Sequence, residues 1–210
     1  MFSDRLDAAE QLAAALKRYR AGNVLVLAIP RGAVPMGAVL AHRLAGELDV
    51  VMVHKLSAPG SAEFAVGAID ETGWTYVAPH AASWGASPEY LDREKCRQLG
   101  EMRRRRTLYT PGRPPANATG RTVIVVDDGL ATGATMIAAL HAVRQRKPAR
   151  LVCAVPVAAP DSLEQVRPCA DEIVCLQAPA GFAAVGQYYR SFPEVTDGEV
   201  ASLLGTTRHA

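Results

Sequence analysis

The segment VIVVDDGLATGAT, Val123 to Thr135, gathers side chains and backbone freedom suited to an anionic, hydroxyl-bearing ligand. Asp127 and Asp128 are acceptor-only when ionised. Gly133 lets the backbone approach an anion closely, and Thr132 and Thr135 can add hydroxyl donors to the amides of residues 132–135. Carboxylates beside such a cradle would repel the anion itself, so they suit vicinal hydroxyls or a bound magnesium ion. Sugar diol, phosphate and cation together describe a phosphorylated ribose.

The elements that must position these residues follow from the same segment. Four aliphatic residues run into the two acids, and small apolar residues (MIAALHAV) follow, which predicts a buried parallel strand, a loop and a helix N-terminus. In open α/β sheets ligands gather at that rim, where helix N-termini offer free N–H groups and a positive dipole end. A Walker A loop would need a lysine that does not occur between Gly129 and Met136, and the three-glycine spacing of a dinucleotide fingerprint is missing. An ordinary acid-capped helix explains one Asp but not the pair with its Thr-Gly loop.

Periodicity along the rest of the chain predicts a helix over residues 5–20, with Leu6, Ala9, Leu12, Ala13 and Leu16 on one face. A buried strand follows over Asn23–Ile29, then a helix over 35–46 and a second buried strand over Leu48–His54. FAVGAI and WTYV suggest a two-stranded excursion. A charge-rich helical run over 87–108 follows, ending in TPGRPPANATG. After the signature strand and its helix to about Arg146 come the strand ARLVCAVPV, a short helix from Asp161 and the strand DEIVCL. Five near-continuously apolar strands require a sheet covered on both faces.

The signature resembles that of the type I phosphoribosyltransferases, which bind phosphoribosyl diphosphate (PRPP): four apolar residues, two acids, then Gly-x-x-Thr-Gly-x-Thr. The resemblance implies an α/β fold, a five-stranded, mostly parallel sheet with helices on both faces plus a small hood over the carboxyl ends. It implies one domain over 1–210, with a helical excursion at about 80–120 and a C-terminal hood or tail at about 177–210. It assigns Asp127 and Asp128 to the ribose hydroxyls, and Ala131, Thr132, Gly133, Ala134 and Thr135 to the 5′-phosphate. Mg2+ would arrive with PRPP rather than in a protein cluster, and a homodimer is expected.

IPRGAVPMG places one cation on a Pro/Gly turn after the first strand, and so offers a second anion site. In the resembling family this loop binds pyrophosphate, often through a non-proline cis peptide, which carries over to Arg31, Gly32 and Ala33; a solvent-facing Arg on a plain turn is the alternative. Lys55 is expected to close the second strand before a mobile Ser/Ala/Pro/Gly lid, as a pyrophosphate contact or a surface lysine. Glu63 in that loop is a proton acceptor or a solvated carboxylate. GFAAVGQYYRSF concentrates aromatics in a chain with 6% of them, and resembles the C-terminal aromatic region of purine salvage enzymes. Phe182 and Tyr188 are therefore candidates to stack on an acceptor base, with packing as the alternative. Ala131 stands where the 6-oxopurine enzymes carry an Asp, which argues against hypoxanthine or guanine.

Composition sets the remaining bounds. The chain has 210 residues, 49% hydrophobic, with a formal charge of +2 and 21% charged residues, so a core is expected and no broad electrostatic case exists for DNA or a membrane. Four cysteines without CxxC spacing and without a preceding secretory signal fit reduced, buried thiols in a cytoplasmic protein. Five scattered histidines suggest no zinc site. Arg103–Arg106 point in all directions on a helix, so a solvated or subunit-docking helix is expected rather than an RNA stripe. The expected function is transfer of phosphoribose from Mg-PRPP to a nitrogenous acceptor with release of pyrophosphate, catalysed through Arg31, Lys55, Asp127 and Asp128. Two other classes compete. One is a non-catalytic PRPP-binding regulator, RNA-binding rather than DNA-binding because no length remains for a winged helix. The other is a phosphohydrolase, for which no activated nucleophile is visible.

Overall fold

The computed structural model describes residues 1–206, except the side chains of Ala62, Glu63 and Thr206. The candidate acceptor Glu63 and residues 207–210 of the expected tail, His209 among them, thus lie outside the described side chains.

Helix α1 (Arg5–Ala15) starts where the Asp4 carboxylate accepts from the amides of Leu6 and Asp7, at 2.8 and 2.9 Å. Its buried face carries Ala8, Ala9, Leu12 and Ala13, whereas Leu6, expected on that face, is 51% exposed because it sits in the opening turn. Strand β1 (Val24–Ala28), helix α2 (Val34–Leu44) and strand β2 (Glu47–Val50) form a parallel crossover. Further on come β6 (Thr122–Val126), α4 (Ala134–Arg144), β7 (Arg150–Val157), α5 (Pro160–Val166) and β8 (Glu172–Gln177). The five strands pair in parallel in the order β2-β1-β6-β7-β8, as the apolar runs predicted.

Alternation along the strands splits the core in two. Val24, Val26, Ile124 and Val126 pack with α1 and α2, while Leu25, Leu27, Val123 and Val125 pack with α4. Each such side chain gains about 1.5–3 kcal/mol on full burial, so two-sided burial fixes the central strands. Ala28 lies level with Val126 in the β1–β6 register, which brings the loops after β1 and β6 to one rim.

The expected second strand divides. Val51 and Met52 leave the parallel sheet, and Val53 begins β3 (Val53–Ala58) of a separate antiparallel ribbon with β4 (Ser61–Asp70) and β5 (Thr75–Val77). The excursion therefore has three strands instead of two. The expected mobile lid after Lys55 is a paired hairpin in which Lys55 faces Ala68 across β3–β4; backbone ladder bonds outweigh the loop-like composition of SAPGSAEF.

Helix α3 (Pro88–Tyr109) is capped by Ser87 Oγ, which accepts from Tyr90 N at 3.2 Å. Its arginine run is not uniformly solvated. Arg104 and Arg105 pair with Glu101, but Arg106 turns inward to Glu71 at 2.8 Å and Asp49 at 3.5 Å. Of the cysteines, Cys153 is buried, but Cys96 is exposed on α3, against expectation. Helix α6 (Asp197–Thr206) closes the described chain. Among the described residues no helix is long and apolar enough to cross a membrane.

Candidate active site

The rim formed by β1 and β6 is drawn tight at Gly32. A Cβ there would lie 2.2 Å from Asp128 Oδ2 and 3.3 Å from an Arg5 guanidinium nitrogen, so this position holds glycine to make room for the acid. The Pro30–Arg31 peptide is cis and Ala33 is fully buried. Arg31, 29% exposed, pairs with Glu194 and stands 3.9 Å from Asp197 Oδ1, so its guanidinium faces carboxylates of the C-terminal segment. Asp197 also accepts from the Tyr109 hydroxyl at 2.5 Å.

The two acids have different surroundings. Asp127 Oδ1 accepts from Asp128 N at 2.9 Å, and the side chain lines an open cleft of about 170 Å³ with Lys55, Thr132, Gly133 and Thr135. Asp128 Oδ2 instead accepts from Arg5 Nε at 2.9 Å. Burial, reinforced by the neighbouring Asp128 charge, pushes the Asp127 carboxyl well above the usual carboxylate range. Burial also raises Asp128, and Arg5 holds that rise back. The Tyr189 hydroxyl donates to Asp128 O at 2.6 Å and is pushed up by its own burial.

The loop between the acids and α4 is fixed from behind. Leu130 N donates to Val157 O, Ala159 N to Leu130 O, both at 2.9 Å, and Ser162 Oγ donates to Ala131 O at 2.5 Å. Gly133 occupies the N-cap of α4 at φ +76°, a conformation costly for other residues, and no side chain caps the helix. The first-turn amides therefore have no side-chain acceptor, the condition in which a helix N-terminus receives an anion.

Of the residues singled out from sequence, Lys55, Asp127, Ala131, Thr132, Gly133 and Thr135 converge on one cleft. Ala134 lines a neighbouring, larger cleft. Arg31, Gly32, Ala33 and Asp128 are not among the residues lining either. Phe182 and Tyr188 stack on each other, centroids 5.5 Å apart at 14°, and pack on the core beside Val185. Three residues of the arrangement lie beyond the sequence-based expectations. Tyr189 was within reach as a member of the aromatic segment, but Arg5 and Glu194 carry no local signal, because their partners are distant in sequence.

Mg2+ takes oxygen ligands, commonly one or two carboxylates together with substrate phosphates. Among the described residues no three His, Cys, Asp or Glu converge on one point. Asp127 brings one carboxylate to the cleft, and an ion held there would draw its remaining oxygen ligands from a bound phosphate or from water.

Comparison with known proteins accords with this geometry. A family model described as a phosphoribosyl transferase domain matches residues 3–190. The TT1426 protein of Thermus thermophilus is 46% identical, with a TM-score of 0.79 over 97% of both chains. A Mycobacterium tuberculosis protein carrying a provisional phosphoribosyl transferase name, found alike in strains H37Rv and CDC 1551, is 40% identical over 205 residues. That match takes in 97% of this chain and 46% of the relative, so the chain spans about half the length of the curated relatives it matches. The AQ2163 protein of Aquifex aeolicus, 11% identical with a TM-score of 0.52, covering 83% of this chain and 74% of its own, shares the fold alone. The parallel five-stranded sheet and the match over residues 3–190 place this chain in the phosphoribosyl transferase domain family.

Proposed function

We propose that this protein transfers phosphoribose from Mg-PRPP to a nitrogenous acceptor and releases pyrophosphate. The observation that carries the reading is the meeting of the Asp127 carboxylate, the Lys55 ammonium and the uncapped start of α4 on one cleft. The amides and hydroxyls of Ala131–Thr135 hold the 5′-phosphate, and Asp127 accepts from the ribose hydroxyls. Asp128, tied to Arg5, anchors the same rim. Lys55 lies opposite the loop and offsets diphosphate charge. Bound with the diphosphate, Mg2+ would spread the charge that develops on the leaving group.

No protein nucleophile is required. Departure of pyrophosphate leaves an oxocarbenium-like ribose, so this chain contributes by binding, orienting and shielding the reacting carbon. The phosphoribosyl transferase name of the M. tuberculosis relative supports the same reading. An RNA-reading regulator gains little support from the arginine run, since Arg104, Arg105 and Arg106 all face carboxylates. The test is pyrophosphate release from Mg-PRPP over a panel of purines, pyrimidines and simple amines. Release with one class establishes the acceptor; silence across the panel with PRPP still bound overturns transfer in favour of a sensor.

A further inference from the structure

We propose that a cluster of arginines outside edge strand β2 is a second anion site, in which Arg106 and Arg146 receive a phosphate group, free or as the monoester of a small molecule, with Glu71 as its built-in competitor.

Convergence gives the first argument. Arg106 comes from the last turn of α3, Arg113 from the linker before β6 and Arg146 from the turn after α4. They meet at Asp49, fully buried on β2, and at Glu71 in the β4–β5 turn. None of these five residues lines either cleft at the signature loop. Helix α4 starts at that loop and its 11 residues span about 17 Å, so Arg146, beyond its far end, is well separated from it.

Charge gives the second. Arg106 donates to Glu71 Oε1 at 2.8 Å, Arg146 to the same oxygen at 2.9 Å, and Arg113 to Asp49 Oδ1 at 3.2 Å. Even so, Arg106 Nη1, Arg113 Nε and Arg146 Nη1 are buried with no acceptor among the described residues. Asp70, next to Glu71 in sequence, is turned to Thr72, Trp74 and His141. Two carboxylates thus leave three guanidinium forks incompletely matched, and an unmatched buried donor on a charged group is costly. Arg103, exposed one turn before Arg106, adds a fourth positive charge at the margin.

Access gives the third. Glu71 lines two clefts, one of about 240 Å³ bounded by Arg103, Arg106 and Thr107, the other of about 560 Å³ bounded by Thr72, Asn117 and Arg146. Its side chain is 22% exposed and can turn outward to water. A phosphate entering from either side takes over the two guanidinium groups that Glu71 Oε1 bridges, and its other oxygens serve the unmatched nitrogens. Guanidinium forks suit phosphate oxygens. The Asn117 amide offers the wider cleft a donor for the remainder of a monoester.

Trp74 reports on the site, since it lies three residues after Glu71 and stacks on His141 of α4 at 3.5 Å and 12°. In the full chain Trp84→Phe leaves Trp74 as the one tryptophan, and Thr132→Asp, at an exposed position, removes the signature loop from the titration by charge. In that background inorganic phosphate should change Trp74 emission saturably, and potassium chloride at equal ionic strength should not. Arg146→Gln should weaken the binding by about tenfold or more, as loss of a charge-assisted donor implies. Arg103→Gln, at an exposed position that leaves folding intact, should weaken it by about two- to fivefold. Glu71→Gln should tighten it by about threefold or more, because the competing charge is gone. Glycerol 3-phosphate binding more tightly than phosphate assigns the ligand as a monoester, and the reverse order assigns the free ion. No saturable response, an equal response to chloride, or weaker binding in Glu71→Gln overturns the proposal. So does a response indifferent to Arg103 and Arg146, and if Arg146→Gln fails to fold, Arg103→Gln and Glu71→Gln decide alone.

Discussion

Arg5 Nε donates to Asp128 Oδ2 at 2.9 Å across 123 positions of sequence. The same guanidinium donates through Nη1 to Pro193 O at 2.6 Å and lies 3.7 Å over the Phe192 ring. With Arg5 at 11% and Asp128 at 17% side-chain exposure, the pair is nearly dry. One side chain from the start of α1 thereby joins the second acid of the signature to the C-terminal segment.

Removing one partner from a buried ion pair leaves the other charge uncompensated, a loss of about 3 kcal/mol. Arg5→Met should therefore lower the melting temperature by about 6–12 °C, at roughly 2–4 °C per kcal/mol for a chain this long. The double variant Arg5→Met with Asp128→Asn should recover most of that, because no orphan charge remains. Equal melting temperatures for the single and double variants would assign the effect to packing on Phe192 rather than to charge.

Asp127 makes the opposite prediction for stability. Burial and the Asp128 charge raise its carboxyl, so the folded state takes the proton more readily than the unfolded chain. Its ionised form therefore costs stability, a cost that begins as pH rises past the unfolded carboxylate value near 4 and is complete above the raised native value. Asn cannot ionise and retains an acceptor for Asp128 N. Asp127→Asn should gain about 1 kcal/mol, or roughly 2–4 °C, at pH 7, with the gain fading toward pH 4. Ribose 5-phosphate affinity should fall about tenfold or more, as loss of hydrogen bonds to a charged acceptor implies. A melting temperature below that of the unaltered chain at pH 7 would contradict this.

How much of this was legible in the sequence depends on the range of the forces involved. The signature strand, loop and helix were readable because apolar run, acids and glycine act within thirteen residues, and the five-stranded sheet followed from similar runs. LDVVMVH read as one strand because its seven residues are almost uniformly apolar, yet the chain changes sheets at Val51 and Met52; hydrophobicity records burial but not the partner. Lys55 was expected before a loop because Ser, Pro and Gly dominate the residues after it, and the β3–β4 ladder overrides that composition. Arg5, Glu194 and the inward turn of Arg106 left no local trace, since each depends on a partner brought near by the fold.

Gly32 offers a test of why the turn after β1 is built as it is. The resemblance assigned it to pyrophosphate; the structure adds that its missing Cβ is the space taken by Asp128 Oδ2. Arg5 holds that oxygen, so it cannot swing aside freely. Gly32→Ala should cost about 1–3 kcal/mol of stability, the usual toll of overpacking, and should weaken ribose 5-phosphate as well as pyrophosphate. A variant impaired toward pyrophosphate alone would confine Gly32 to the anion turn.

Arg31 meets Glu194, whose side chain is 77% exposed, so a diphosphate reaching for this guanidinium competes with a carboxylate already in place. An exposed pair of this kind is worth at most about 1 kcal/mol, which bounds the competition at roughly fivefold. Glu194→Gln should accordingly tighten pyrophosphate binding by about two- to fivefold, with the difference shrinking in 1 M salt as screening weakens the pair. Arg31→Ala should weaken pyrophosphate more than ribose 5-phosphate and should abolish the benefit of Glu194→Gln, because the carboxylate acts through the guanidinium. Isothermal titration of pyrophosphate into the four combinations decides the point. Additive effects of the two substitutions would mean that Glu194 repels the anion on its own account, and that Arg31 is held by the tail for a structural reason.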